Sequence, residues 1–176
     1  MNLLEVVDSA VKIGLGAFIA GASALLLSRS QHRRDLDRAR IDREFQMLKD
    51  VAEQTERFTQ ASLRHWALAT DAHRMRRLAK PLSSRKIANL GESNDALFNI
   101  FHELTSSEAK LLLLGKRDAR QALRSYGEMV IAFRRSAMID SETMSDPEIE
   151  TWRANILKTR ERLLDELHSC YRQLGS

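Results

Sequence analysis

Five histidines (His32, His65, His73, His102 and His168) and one cysteine, Cys170, are the side chains of this 176-residue sequence suited to metal or nucleophile chemistry. Their spacing argues against such chemistry. A helical zinc site pairs two histidines four apart with a glutamate beside the first, and the sequence has no His-Glu-x-x-His. A di-iron bundle needs two Glu-x-x-His pairs and two more glutamates on facing helices. Asp165-Glu-Leu-His168 comes nearest and stands alone. Ser62 and His65 can meet at i, i+3, but a nucleophile also needs a third group to orient its base, and neither a carboxylate partner nor a nucleophile elbow is identifiable. His168 and Cys170 are two apart, on different faces of any helix that carries them, so Cys170 reads as an inert thiol. Three of the seven glycines, Gly14, Gly16 and Gly21, fall in an apolar run and build no phosphate loop. The expectation is a protein without catalytic, cofactor-binding or metal-binding residues, one that acts by binding.

That apolar run is the strongest signal in the chain. Ile13 to Leu27 is uncharged, and Arg29, His32, Arg33 and Arg34 follow it. Extended back to Val6, it would cover a bilayer core of roughly 30 Å at about 1.5 Å per residue. Two other readings compete with a membrane span. Ala22-Ser23-Ala24 resembles a signal-peptide cleavage site, but Glu5 and Asp8 take the place of the basic n-region that such a peptide needs. A short apolar run can also be a soluble core helix.

Orientation follows from the flanks. Arg29, Arg33, Arg34, Arg38, Arg40 and Arg43 lie after the run, against Lys12 before it. Lys/Arg excess marks the cytoplasmic side. This predicts N-terminus out, with Arg29, Arg33, Arg34 and Arg38 fixing topology or touching lipid headgroups. Gly14, Ala17, Gly21, Ala24 and Ser28 recur at spacings of three and four, a stripe that allows close backbone approach between spans, hence a homo-oligomer or a docking face.

The rest reads as long helices. Charged residues make up 30%, while proline occurs twice and glycine seven times. Residues 28–80 contain neither proline nor glycine. Ile41, Phe45, Leu48, Ala52, Thr55, Thr59, Ser62, Trp66 and Ala69 follow a 4-3 rhythm there, with Val51, Phe58 and Leu63 beside them. The Thr, Ser and Ala in that seam fit a bundle better than a dimeric coiled coil. Pro81 ends the helix, Ser83 or Ser84 caps the next, and Gly91-Glu-Ser-Asn-Asp95 predicts a break. Gly115 stops the following stretch, and Asp146-Pro147-Glu148 opens the last. Ile149, Trp152, Ile156, Leu157, Leu163, Leu164, Leu167 and Leu174 are expected inward there.

The predicted architecture is all-α: a transmembrane anchor (1–28), a basic juxtamembrane stalk (29–40) and a cytosolic antiparallel helical bundle, partly coiled-coil-like, of three to four helices (41–176). In layout this resembles the peripheral-stalk b subunit of rotary ATP synthases. Pro81, Gly115 and Pro147 depart from that subunit's unbroken helix and fold the chain back. Phage inner-membrane spanins share the combination of span and coils, but their coils lie outside the cytosol, against the basic flank here.

Charge narrows the partners. The net charge is +4, and residues 29–80 carry 13 Lys and Arg against 8 Asp and Glu, while 81–176 carry 14 against 14. The surplus sits in the first helix, whereas a nucleic-acid binder concentrates it on the globular domain. Arg74, Arg76, Arg77 and Lys80 form a candidate patch for an acidic protein, for the acidic linker at 140–150, or for nucleic acid. The sequence thus predicts a single-pass protein of a bacterial inner membrane, an adaptor for a protein partner. A membrane-perturbing effector with oligomerising spans is the alternative, and a nucleic-acid tether ranks third.

Overall fold

Helix signals dominate the chain, and helices are what it forms. The computed structural model describes the backbone of residues 3–137 and 143–174, with side chains from residue 35 onward within those ranges. Four α-helices and no strand occur among the described residues: α1 Leu3–Arg77, α2 Ser84–Leu113, α3 Arg117–Ser136 and α4 Asp146–Leu174. The chain divides into two compact units, Met1–Arg43 and Glu44–Ser176. The expected span, Ile13–Leu27, lies outside the residues whose side chains are described. Among those that are described, no helix is long and apolar enough to cross a membrane.

Unit Glu44–Ser176 is an up-and-down four-helix bundle, and its cross-helix pairs give the topology. Along α1, Asp50, Gln54, Arg57, His65 and Asp71 meet Lys110, Ser107, Glu103, Ser93 and Lys86 of α2, so the two run antiparallel. Phe45 stacks on Tyr171 and Glu56 pairs with Arg160, which sets α4 antiparallel on the other flank of α1. Across the diagonal, Phe58 packs on Tyr126 and His65 on Phe133, so α1 and α3 run parallel. Exposed ion pairs of this kind contribute about 0–1 kcal/mol each. They specify register, and the core supplies the stability.

The core is a layered apolar interior. Leu48, Val51, Phe58 and Ala69 of α1, Leu97 and Leu111 of α2, Leu123, Tyr126 and Phe133 of α3, and Leu163 and Leu167 of α4 are buried. Gly127 of α3 admits α2 closely, since a Cβ there would lie 3.0 Å from Leu104 Cδ1. The expected 4-3 seam of α1 holds from Leu48 to Ala69, but Ile41, Phe45 and Leu63 are exposed. Leu157 and Leu164, expected inward on α4, are exposed at 46% and 44%. Ile156 and Leu163, one position earlier and also expected inward, are buried, because three neighbours leave room for one stripe per helix.

The ends of the helices show which local signals act. At Gly115 (φ 69°) the Lys116 N–H reaches the Leu111 carbonyl and the Gly115 N–H reaches Leu112, the paired bonds of a Schellman turn. The same pair closes α1: Lys80 N–H to Met75 and Ala79 N–H to Arg76, with Ala79 at φ 51°. A left-handed alanine is strained where glycine is not. Ala79→Gly is therefore expected to raise the unfolding free energy by about 1 kcal/mol, read as a higher urea midpoint at unchanged slope.

Two expected boundaries differ. Helix α2 runs straight through Gly91, whose cost of about 1 kcal/mol is outweighed by the burial of flanking Leu90 and Leu97. Ser93 caps nothing and is buried against α1. Helix α4 is capped by Ser145, one residue before the expected Asp146. Ser145 Oγ accepts the Glu148 N–H, and Glu148 Oε2 accepts the Ser145 N–H at 2.7 Å, a reciprocal capping box. The Ser145 N–H and, second, the Ser145 hydroxyl, which also donates to Oε2 at 2.7 Å, favour the ionised form and hold the Glu148 carboxyl below the usual carboxylate range.

Candidate functional site

The bundle interior carries more polar chemistry than the apolar pattern suggests. Thr55, Thr59, Ser62, His65, Thr70, His73, Ser93 and Ser107 are all buried. Four of them, Thr59, Ser62, Thr70 and Ser93, fold a hydroxyl back on their own helix; Thr59 Oγ1 donates to the Thr55 carbonyl and Ser62 Oγ to the Phe58 carbonyl, each at 2.9 Å. Others bridge helices. The Tyr126 hydroxyl lies 3.0 Å from Thr59 Oγ1, and Ser107 Oγ donates to Gln54 Oε1 at 2.7 Å. Burial raises the Tyr126 pKa, so the phenol stays protonated.

His65 is the most perturbed of these groups. Ser93 Oγ donates to the Leu90 carbonyl at 2.8 Å, which leaves it to accept from His65 Nδ1–H at 3.1 Å. His65 Nε2 is then a buried acceptor without a partner. Desolvation, with the positive Arg134 as a lesser cause, lowers its pKa to about 4. The unfolded chain takes up this proton near pH 6.5 and the folded chain near pH 4, so acid favours unfolding. Stability is full above about pH 6.5 and declines as the pH falls, by about 3 kcal/mol at pH 4 from this residue. His65→Leu is expected to flatten that slope in urea titrations run at successive pH values. An unchanged slope would show that His65 does not carry it.

His73 performs a different task. It is buried at the end of α1, where its Nδ1 accepts the Met144 N–H at 3.2 Å and a hydrogen bond ties it to the Ala137 backbone. Arg77, one turn on, donates to the Met144 carbonyl at 2.6 Å and pairs with Asp146 at 2.5 Å. The two side chains hold both ends of the α3–α4 connection against α1. Burial first, and Arg76 and Arg77 second, lower the His73 pKa and keep it an acceptor.

The sequence-derived candidates are placed as follows. Gly14, Ala17, Gly21, Ala24, Ser28, Arg29, Arg33 and Arg34 lie outside the residues whose side chains are described, and Arg38 is exposed. In the basic run, Arg74 and Lys80 are exposed, Arg76 is half-buried, and Arg77 is engaged with Met144 and Asp146. The four therefore do not form one free cationic surface. Cys170 is buried, and burial pushes its thiol pKa up, which keeps it protonated. No cluster of three or more His, Cys, Asp or Glu able to hold a metal occurs among the described residues.

The seam between α1 and α4 holds a feature that the sequence reading missed. A pocket of about 220 Å³ opens there, with Leu63 and Trp66 on one side, Ile156 and Leu157 on another, and Arg153 and Arg160 at its edge. Its signal in sequence is the stripe Arg153, Leu157, Arg160, Leu164, spaced four, three and four, in which leucines alternate with arginines. An apolar face destined for the core does not alternate in that way. Set beside known proteins, the chain stands apart: no family model, curated protein or solved structure matches it.

Proposed function

We propose that this protein is a single-pass membrane adaptor. Residues 6–27 span the bilayer with the preceding segment outside, and the four-helix bundle lies in the cytosol and engages a protein partner through its helix faces. The observation that carries this reading is the join between an uncharged run, Ile13–Leu27, and a dense arginine flank, ahead of a bundle that buries its own core. The exposed Leu63, Leu157 and Leu164 along the α1–α4 flank supply apolar area suited to a partner. The test is fractionation of the full chain: an integral protein stays with the membranes after alkaline carbonate washing, and release into the supernatant would contradict the span.

The small-residue stripe supports a second reading, in which Gly14, Ala17, Gly21, Ala24 and Ser28 cluster the spans into a membrane-perturbing assembly. Gly21→Leu separates the two. It abolishes growth inhibition by an effector on overexpression and leaves an adaptor's bundle and its binding intact.

A further inference from the structure

The pocket between α1 and α4 has apolar walls and two guanidiniums at its edge. Leu63 and Trp66 of α1, Phe133 of α3 and Leu157 of α4 provide the walls, and Thr59, Ser62 and Tyr126 provide hydroxyls. Those hydroxyl protons are already used. Thr59 and Ser62 donate to carbonyls of their own helix, which leaves Tyr126 to donate to Thr59 Oγ1. The Trp66 indole N–H has no acceptor, but it is sealed from solvent, so the ring serves the pocket as a wall. At the edge, Arg160 lies 3.6 Å from Glu56 and Arg153 lies 3.4 Å from Glu150. Both are longer than the roughly 2.7–2.9 Å of a well-made charged pair, so their donors are weakly committed. An occupant must therefore be apolar in body and must bring an acceptor, preferably an anionic one.

We infer that this pocket binds a small amphipathic carboxylate. Its apolar body lies among Leu63, Trp66, Phe133 and Leu157, and its carboxylate turns toward Arg153 and Arg160. Size limits the class. Pockets for drug-sized ligands start at about 300 Å³, and 220 Å³ leaves room for a single ring or a short acyl chain, not for a nucleotide or a full lipid tail. Donor chemistry sets the class, because a guanidinium carries five N–H donors and no acceptor, so even while paired with Glu56 or Glu150 it has donors left for a carboxylate. The site lies wholly within Glu44–Ser176 and is independent of where the chain resides, so its failure would leave the membrane reading untouched.

The experiment titrates the full chain, held in amphipol, into para-fluorophenylbutyrate and follows the fluorine NMR linewidth. Saturable broadening is expected, with the matching neutral alcohol binding about tenfold or more weakly. Arg153→Gln combined with Arg160→Gln should weaken the carboxylate by a similar factor. Circular dichroism checks that the double variant folds. Three results would each overturn the proposal: no saturable broadening, an alcohol that binds as well as the acid, or an arginine double variant that binds like the parent.

Discussion

Phe58→Ala is expected to lower the unfolding free energy by about 3–5 kcal/mol, the usual cost of deleting a fully buried aromatic ring. Phe58 has no solvent exposure, and it meets rings from two other helices edge-on: Phe101 of α2 at 5.1 Å and Tyr126 of α3 at 5.6 Å. Such pairs add about 0.5–1.5 kcal/mol beyond the area they bury. Collapse of the site is restrained, because Tyr126 is held by Thr59 and the helices around it are pinned by the Arg57–Glu103 pair. Against a typical total of about 5–15 kcal/mol, the variant should sit close to the folding threshold. Urea unfolding followed by circular dichroism measures the loss. A cost below about 1 kcal/mol would mean that Phe58 is not the centre of the bundle. Leu157→Ala, at an exposed position, provides the contrast with a much smaller change.

Leu15→Arg combined with Phe18→Arg has the other large expected effect, on location and not on folding. An arginine near the centre of a span disfavours insertion by about 2.5–3.5 kcal/mol, so the pair disfavours it by roughly 5–7 kcal/mol. That exceeds what a fifteen-residue run with seven Leu, Ile and Phe among Gly, Ala and Ser can offset. The double variant should leave the membrane fraction under carbonate washing, while Leu36→Arg, at an exposed position beyond the run, should be retained like the parent. Retention of the double variant would mean that Ile13–Leu27 is not what holds the chain.

How far the sequence was legible differs from one helix to the next. The 3-4 rhythm of α1 from Leu48 to Ala69 and the stop at Gly115 follow from periodicity and glycine chemistry, and both stand in the fold. Gly91 reads as a break because local propensity is all that a sequence displays there, and the burial of Leu90, Ser93 and Leu97 outweighs it. Leu157 and Leu164 read as core because leucine is apolar, yet each bundle helix has one inward stripe, and Ile156 and Leu163 occupy it. The interior polar groups were the least visible. His73 belongs to a basic run in sequence, and only the arrival of Met144 from the far end of α3 turns it into a buried acceptor. Trp66 and Arg160 lie on different helices; the alternating stripe through Arg153, Leu157 and Arg160 marks only the α4 side of the pocket, and Trp66 joins it when α1 and α4 pair.

The proposed location is what gives the bundle a place to act, and its most direct test is a pair of fusions after Ser176, one to a fluorescent protein and one to alkaline phosphatase, each expressed in a bacterial host. The account predicts fluorescence that sediments with the membranes and a silent phosphatase, which together place the bundle in the cytosol at the end of a single span. An active phosphatase would contradict the arginine-flank argument and put the bundle on the outer side, and fluorescence in the soluble fraction would contradict the span itself.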